Sequence, residues 1–238
     1  QAAQHSKLTS AIAQQWIDGV QLSTESVVWN GEVAMTAIGK RNYARLNEYA
    51  PYVIEDGCDM PMDITADDIQ KINKVIEQSC RALGWDKLTV KGDLILDNYG
   101  IVWVIELAAR LSGGYFASHT IPLAYGWNIV QDATLIAMGH KPKIEFTRRE
   151  NLQQYVSQRY VFPRKDMIGK RIQDRIEQTV FKDVKLMTWN FKIGDTIPEV
   201  KSHPDRLGQC IAIGTSEESA IELAEITVKS MLDTMVVE

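Results

Sequence analysis

Two acidic residues, Asp93 and Glu106, stand inside otherwise apolar β-patterned runs, and Arg110 and a Ser112-Gly113-Gly114 turn follow closely. An acid within a strand is costly unless it is paired or binds a metal, so both residues call for a partner. In Leu88–Leu96, the apolar Leu88, Val90, Leu94 and Leu96 share one face, and Thr89, Lys91, Asp93 and Ile95 share the other. A two-residue turn at Asn98-Tyr99 would pair Asp97 with Gly100 and set Asp93 opposite Val104. Glu106 would then be a diagonal neighbour of Asp93 on the same face. Carboxylates so placed can share a divalent ion, and magnesium suits oxygen ligands combined with phosphates. An odd-numbered loop would shift the register and part the acids. The competing reading pairs Asp93 and Glu106 with Lys91 and Arg110 on a solvated sheet face. Arg110 and the glycines favour the first: a guanidinium grips an anion bidentately, and glycines let backbone N–H groups approach one closely. Such a set suits phosphoryl transfer.

The elements that must hold these residues are legible from periodicity. Residues 23–38 read as a hairpin about Asn30-Gly31, a type I′ signal. Residues 40–62 read as a polar, irregular connection. Thr65 caps a helix whose apolar stripe is Ile69, Ile72, Val75, Ile76, Cys80 and Leu83, with Gly84 as its stop. The second hairpin covers about 87–107, and helical stretches follow at roughly 118–125 and 127–138. β-like pieces at 184–192 and 209–213 precede a last helix capped by Ser216. The pattern predicts an α+β fold, an antiparallel sheet with helices on one face, plus a small α/β C-terminal subdomain. The expected domains are 1–147 and 148–238.

Composition narrows the function classes. A net charge of −5 over 238 residues gives no overall signal for nucleic acid, and no apolar run is long enough to span a bilayer. No signal peptide opens the chain. Cys58, Cys80 and Cys210 are odd in number and widely spaced, which points to a reducing cytoplasm rather than a disulfide framework. Residues 141–185 hold twelve Lys and Arg against six Asp and Glu. They form either a solvated face or a source of cations (Arg159, Arg164 or Lys165) for an anionic substrate.

At these residues the chain resembles the ATP-grasp superfamily, in particular carboxylate–amine ligases related to carbamoyl-phosphate synthase and biotin carboxylase. Gln14-Gln15-Trp16-Ile17-Asp18-Gly19 is similar to the nucleotide hinge and its glycine turn, and Ser23-Thr24-Glu25-Ser26 to the strand leaving it. Asp93 and Glu106 match the two acidic metal positions, and Arg110 and Ser112-Gly113-Gly114 the substrate-side arginine and glycine loop. Arg159–Pro163, Gly194-Asp195, Arg206-Leu207-Gly208 and the closing helix resemble the small C-terminal subdomain. The resemblance implies ATP and Mg2+. Gln14, Gln15, Trp16 and Ile17 would lie at adenine, Gln21 near the ribose, Asp93 and Glu106 on magnesium, and Arg110 on the acyl phosphate or its parent carboxylate.

The chain departs from the pattern where glutamate is common but Gln14 and Gln21 stand, and where Ala108 replaces an asparagine. On this resemblance, the residues from Gln1 onward are expected to lack the lobe that covers the phosphates. The expectation is an ADP-forming ligase joining a small-molecule carboxylate to an amine through an acyl phosphate. It would be present as a fragment that binds ATP weakly and does not turn over. A catalytically silent ATP-grasp-like nucleotide-binding or scaffold module is the alternative. A biotin-dependent carboxylase component shares the fold, but no bicarbonate and biotin pocket is identifiable. No nucleic-acid or membrane partner is expected, a homo-oligomer is left open, and no general base is assigned, His119 reading as structural.

Overall fold

The structure, a computed structural model, describes residues 2–143, 154–175 and 181–238. Eight antiparallel strands form one sheet, in the order β5-β4-β1-β2-β3-β6-β9-β8. They are β1 (Gly19–Trp29), β2 (Glu32–Asn42), β3 (Gly57–Met60), β4 (Leu88–Asp97), β5 (Val102–Ala108), β6 (Tyr155–Val161), β8 (Val184–Trp189) and β9 (Gly208–Gly214). β7 (Ile172–Arg175) and β10 (Met235–Val237) pair separately. The helices are a short α1 (Ala2–His5), α2 (Ala66–Leu83), α3 (Ile121–Tyr125), α4 (Ile129–Ala137) and α5 (Glu217–Asp233). The expected boundary near 147 lies outside the described residues; β3 and β6, on either side of it, are hydrogen-bonded neighbours.

The first hairpin turns at Asn30-Gly31 with φ of 54° and 78°, the pair of positive angles that a type I′ turn needs. α2 begins where Thr65 accepts the Asp68 N–H at 3.1 Å and ends at Gly84, whose φ is 68°. Ile72, Ile76 and Cys80 of α2 pack under Leu22, Ile38, Val90 and Leu94. Burying each isoleucine is worth roughly 1.5–3 kcal/mol. Leu83, expected on that stripe, is 56% exposed in the last turn.

Helices cover both faces of the sheet, not one. Phe116, Ile121, Tyr125 and Ile129 pack against Val27, Ala37, Cys58 and Met60 on the face opposite α2, and α5 seals Cys210 and Ala212. The segment expected to be irregular contains β3, whose Cys58 and Met60 are buried between β2 and β6. Its four residues are too few to show a period among the surrounding prolines and polar residues. On β1, Val27 lies beneath Phe116, while Gln21, Ser23 and Glu25 continue the same face toward the candidate site.

Candidate nucleotide and metal site

The second hairpin departs from the two-residue turn. Leu96 pairs with Val102, and the loop is the three residues Asn98-Tyr99-Gly100, with Gly100 at φ 74°. Asp97 imposes it: Oδ1 accepts the N–H groups of Tyr99 at 2.9 Å and Ile101 at 2.8 Å, and Oδ2 accepts Trp103 Nε1–H at 2.8 Å. These bonds, led by Trp103, hold the Asp97 carboxyl below its ordinary pKa. An odd loop alone would separate the acids. A bulge adds a second one-residue shift and so returns them to one face, because Leu94 pairs with Val104 but Asp93 pairs with Glu106, leaving Ile105 as the extra residue. The acids are therefore direct cross-strand partners rather than the diagonal neighbours expected.

Asp93 is already engaged. Its Oδ1 is 3.1 Å from Arg41 Nη1, an ion pair not aligned as a hydrogen bond, and Oδ2 contacts Lys91 Nζ. Lys91 is thus a partner, as one reading expected, but Arg41 stands where Arg110 was expected. Arg41 also binds Glu55 at 3.0 Å. Burial is the largest influence and opposes its charge, yet Glu55, with smaller contributions from Tyr43 and Asp93, raises its pKa. Glu106 is exposed and has no ion-pair partner among the described residues. No group of three metal-ligating side chains occurs among those residues. Magnesium does not require one, since it commonly uses one or two carboxylates with phosphates and water. Asp93 and Glu106 fit that demand, with Lys91 as the cation a metal would displace.

A cavity of about 200 Å³ is lined by Ser23, Arg41, Glu55, Lys91, Asp93 and Arg110, together with Ser112, Gly113 and Gly114. Arg110 is exposed, and Nη1 donates to the Leu111 carbonyl at 3.1 Å. The glycine turn is held from two strands. Glu25 of β1 accepts the Ser112 N–H at 2.8 Å, and Gln158 of β6 donates Nε2–H to the Gly114 carbonyl at 2.7 Å. Burial pushes the Glu25 carboxyl up to about 7, against the lowering effects of the Ser112 hydrogen bonds, Lys91 and Arg110. Gly114 takes φ 61°, and a side chain on it would meet the Tyr160 hydroxyl.

Trp16, Ile17, Asp18, Gly19 and Gln21 line a second cavity of about 230 Å³ with Tyr43, Leu46 and Val53. Trp16 is 64% exposed, its Nε1–H donating to Asp18 at 2.9 Å. Gln14 and Gln15 are exposed and outside that lining. The two cavities adjoin along one sheet face. Gln21 and Ser23 alternate on β1, and Arg41 of the charged cavity lies 5.3 Å from the Tyr43 ring of the apolar one. The result is a groove with an apolar end and a cationic end.

Arg159, Arg164 and Lys165, expected as candidate cations for an anionic substrate, do not line the charged cavity, and neither does His119, read as structural. Arg159 faces away from the cavity, bound to Asp59 by two bonds of 2.7 and 3.0 Å. Arg164 pairs with Asp233 at 3.0 Å, and Lys165 does not line the charged cavity. His119 bonds Ser118 at 2.9 Å and packs edge-on to Tyr115, outside the cavity lining. Sequence reasoning missed Arg41, Gln158, Tyr160, His203 and Arg206 as lining residues, and Glu25 as a support. Glu25 carried the signal that picked out Asp93, an acid in an apolar strand. Arg41 was hidden in a segment read as a connection.

Neither a protein-family model nor a curated sequence matches the chain. Its fold is that of ATP-grasp ligases. It is similar to phosphoribosylglycinamide synthetase from Anaerococcus prevotii, with a TM-score of 0.76 at 16% identity over 94% of this chain and 54% of that one. L-amino acid ligase from Bacillus licheniformis gives 0.72 at 22% identity, over 94% and 55%. The biotin carboxylase domain of Hydrogenobacter thermophilus 2-oxoglutarate carboxylase, in complex with MgADP and bicarbonate, gives 0.64 at 13%, over 94% and 47%. The chain thus spans about half the length of these structures. No helix among the described residues is long and apolar enough to cross a membrane, and all three cysteines are buried and free.

Proposed function

We propose that this chain carries the metal and substrate side of an ATP-dependent, ADP-forming ligase site. There a small carboxylate is activated as an acyl phosphate and passed to an amine. The observation that carries the reading is the groove: an apolar end at Trp16, Ile17 and Tyr43 suited to a base, leading to a cationic end lined by Asp93, whose cross-strand partner Glu106 lies beside it outside the lining. Bound magnesium would bridge and neutralise phosphate oxygens, and Asp93 and Glu106 are the residues to hold it. Arg110 supplies a guanidinium for the carboxylate undergoing activation. With the Ser112 N–H committed to Glu25, Gly113 and Gly114 of the turn supply the backbone N–H groups for charge that develops on the acyl oxygen. Glu25 and Gln158 keep that turn in place.

One observation favours a silent nucleotide-binding module instead: Asp93 is already neutralised by Lys91 and Arg41. Nucleotide binding tests the shared part of both readings. ATP is expected to quench Trp16 fluorescence saturably, and Trp16→Leu to abolish that quench. No saturable binding at millimolar ATP with magnesium would overturn the nucleotide reading, and binding indifferent to magnesium would favour the silent module.

A further inference from the structure

Four cations and two carboxylates line the charged cavity, and their pairing is uneven. Arg41 and Lys91 take up Glu55 and Asp93, whereas Arg110 and Arg206 have no carboxylate partner among the described residues. Arg206 precedes β9 and reaches the cavity from the β6–β9 side, across the sheet from the acid pair on β4 and β5. Its position is fixed: the guanidinium stacks on the Tyr160 ring at 3.5 Å, Nε–H donates to the His203 carbonyl at 2.8 Å, and Nη1–H to the Glu55 carbonyl at 3.1 Å. Nη2 has no hydrogen-bond partner among the described residues, so a preorganised charged donor is left over. The surroundings stay cationic. His203, another lining residue, accepts the Glu55 N–H at 3.3 Å on Nε2, and burial followed by the charge of Arg206 lowers its pKa.

We propose that Arg206 forms a second anion subsite, so that the small substrate of this cavity carries two anionic groups. One carboxylate meets Arg110 and the glycine turn, and the other anionic group meets the free edge of Arg206. A monoanion would leave Arg206 unmatched inside the cavity. The assignment of the first carboxylate rests on the ligase reading; the demand for a second anion does not, because it follows from the charge inventory alone.

The test is a binding titration of the purified protein without nucleotide, comparing butyrate, succinate and 3-phosphonopropionate. At least one dianion is expected to bind about tenfold or more tightly than butyrate, the gain of one charge-assisted contact. Arg206→Gln should bring that dianion to within about twofold of butyrate while leaving butyrate itself unchanged. Which dianion is preferred tells a second carboxylate from a phosphate-like group. Equal binding of all three by the wild-type protein would overturn the proposal, as would an Arg206→Gln variant that weakens butyrate and dianions alike. The wild-type ratio and Arg206→Lys, which keeps the charge and should keep part of the preference, serve if Arg206→Gln does not fold. Loss of magnesium-dependent ATP binding would count against the ligase reading without touching this result.

Discussion

Glu25 is fully buried on β1, with one oxygen bound to the Ser112 N–H and Oε1 without a hydrogen-bond partner among the described residues. Its carboxyl is pushed from 4.5 up to about 7, chiefly by burial. Between those two values the folded chain retains a proton that the unfolded chain releases. Stability therefore falls as pH rises through that window, and the full cost is present above pH 7. At about 1.4 kcal/mol per pH unit, that cost is about 3 kcal/mol. Glu25→Gln removes the charge but keeps an oxygen to accept the Ser112 N–H. The variant should match the wild type near pH 4.5 and exceed its stability by up to about 3 kcal/mol at pH 8. Urea unfolding of both proteins at a series of pH values measures the difference directly. A variant less stable than wild type at pH 8, or a difference that does not grow with pH, would refute the argument that burial dominates at this residue.

Other substitutions have expected outcomes of different origin. Asp59→Asn leaves the buried Arg159 guanidinium without its bidentate partner and should cost about 3–5 kcal/mol in urea unfolding. Gln158→Leu removes the donor to the Gly114 carbonyl and should cost on the order of 1 kcal/mol. Unchanged stability in both would show that these contacts do not form in solution.

The strand faces, the Asn30-Gly31 turn, the Thr65 and Ser216 caps and the stripe of α2 were legible because each depends on local chemistry and period. The acid pair was legible for an incomplete reason. Two departures from the simple hairpin, the Asp97-capped three-residue loop and the Ile105 bulge, each shift the register by one in the same direction, which restores the shared face and brings Glu106 directly opposite Asp93. Periodicity sees neither, because a bulge depends on what the partner strand needs. The cations that surround Asp93 were harder still. Arg41 and Arg206 lie 165 positions apart and share one cavity only because β3 and β6 complete the sheet between them. Arg159, singled out from a basic stretch, points instead to Asp59, as the alternation along β6 dictates once Gln158 faces the cavity.

In the proposed site, Asp93 and Glu106 act together on a metal–nucleotide complex. Calorimetric titration of ATP, with and without magnesium, into the wild type, Asp93→Asn, Glu106→Gln and the double variant tests it. Magnesium is expected to strengthen ATP binding to the wild type, either single substitution to remove most of that gain, and the double variant to lose little more. Magnesium dependence that survives in both single variants would contradict it.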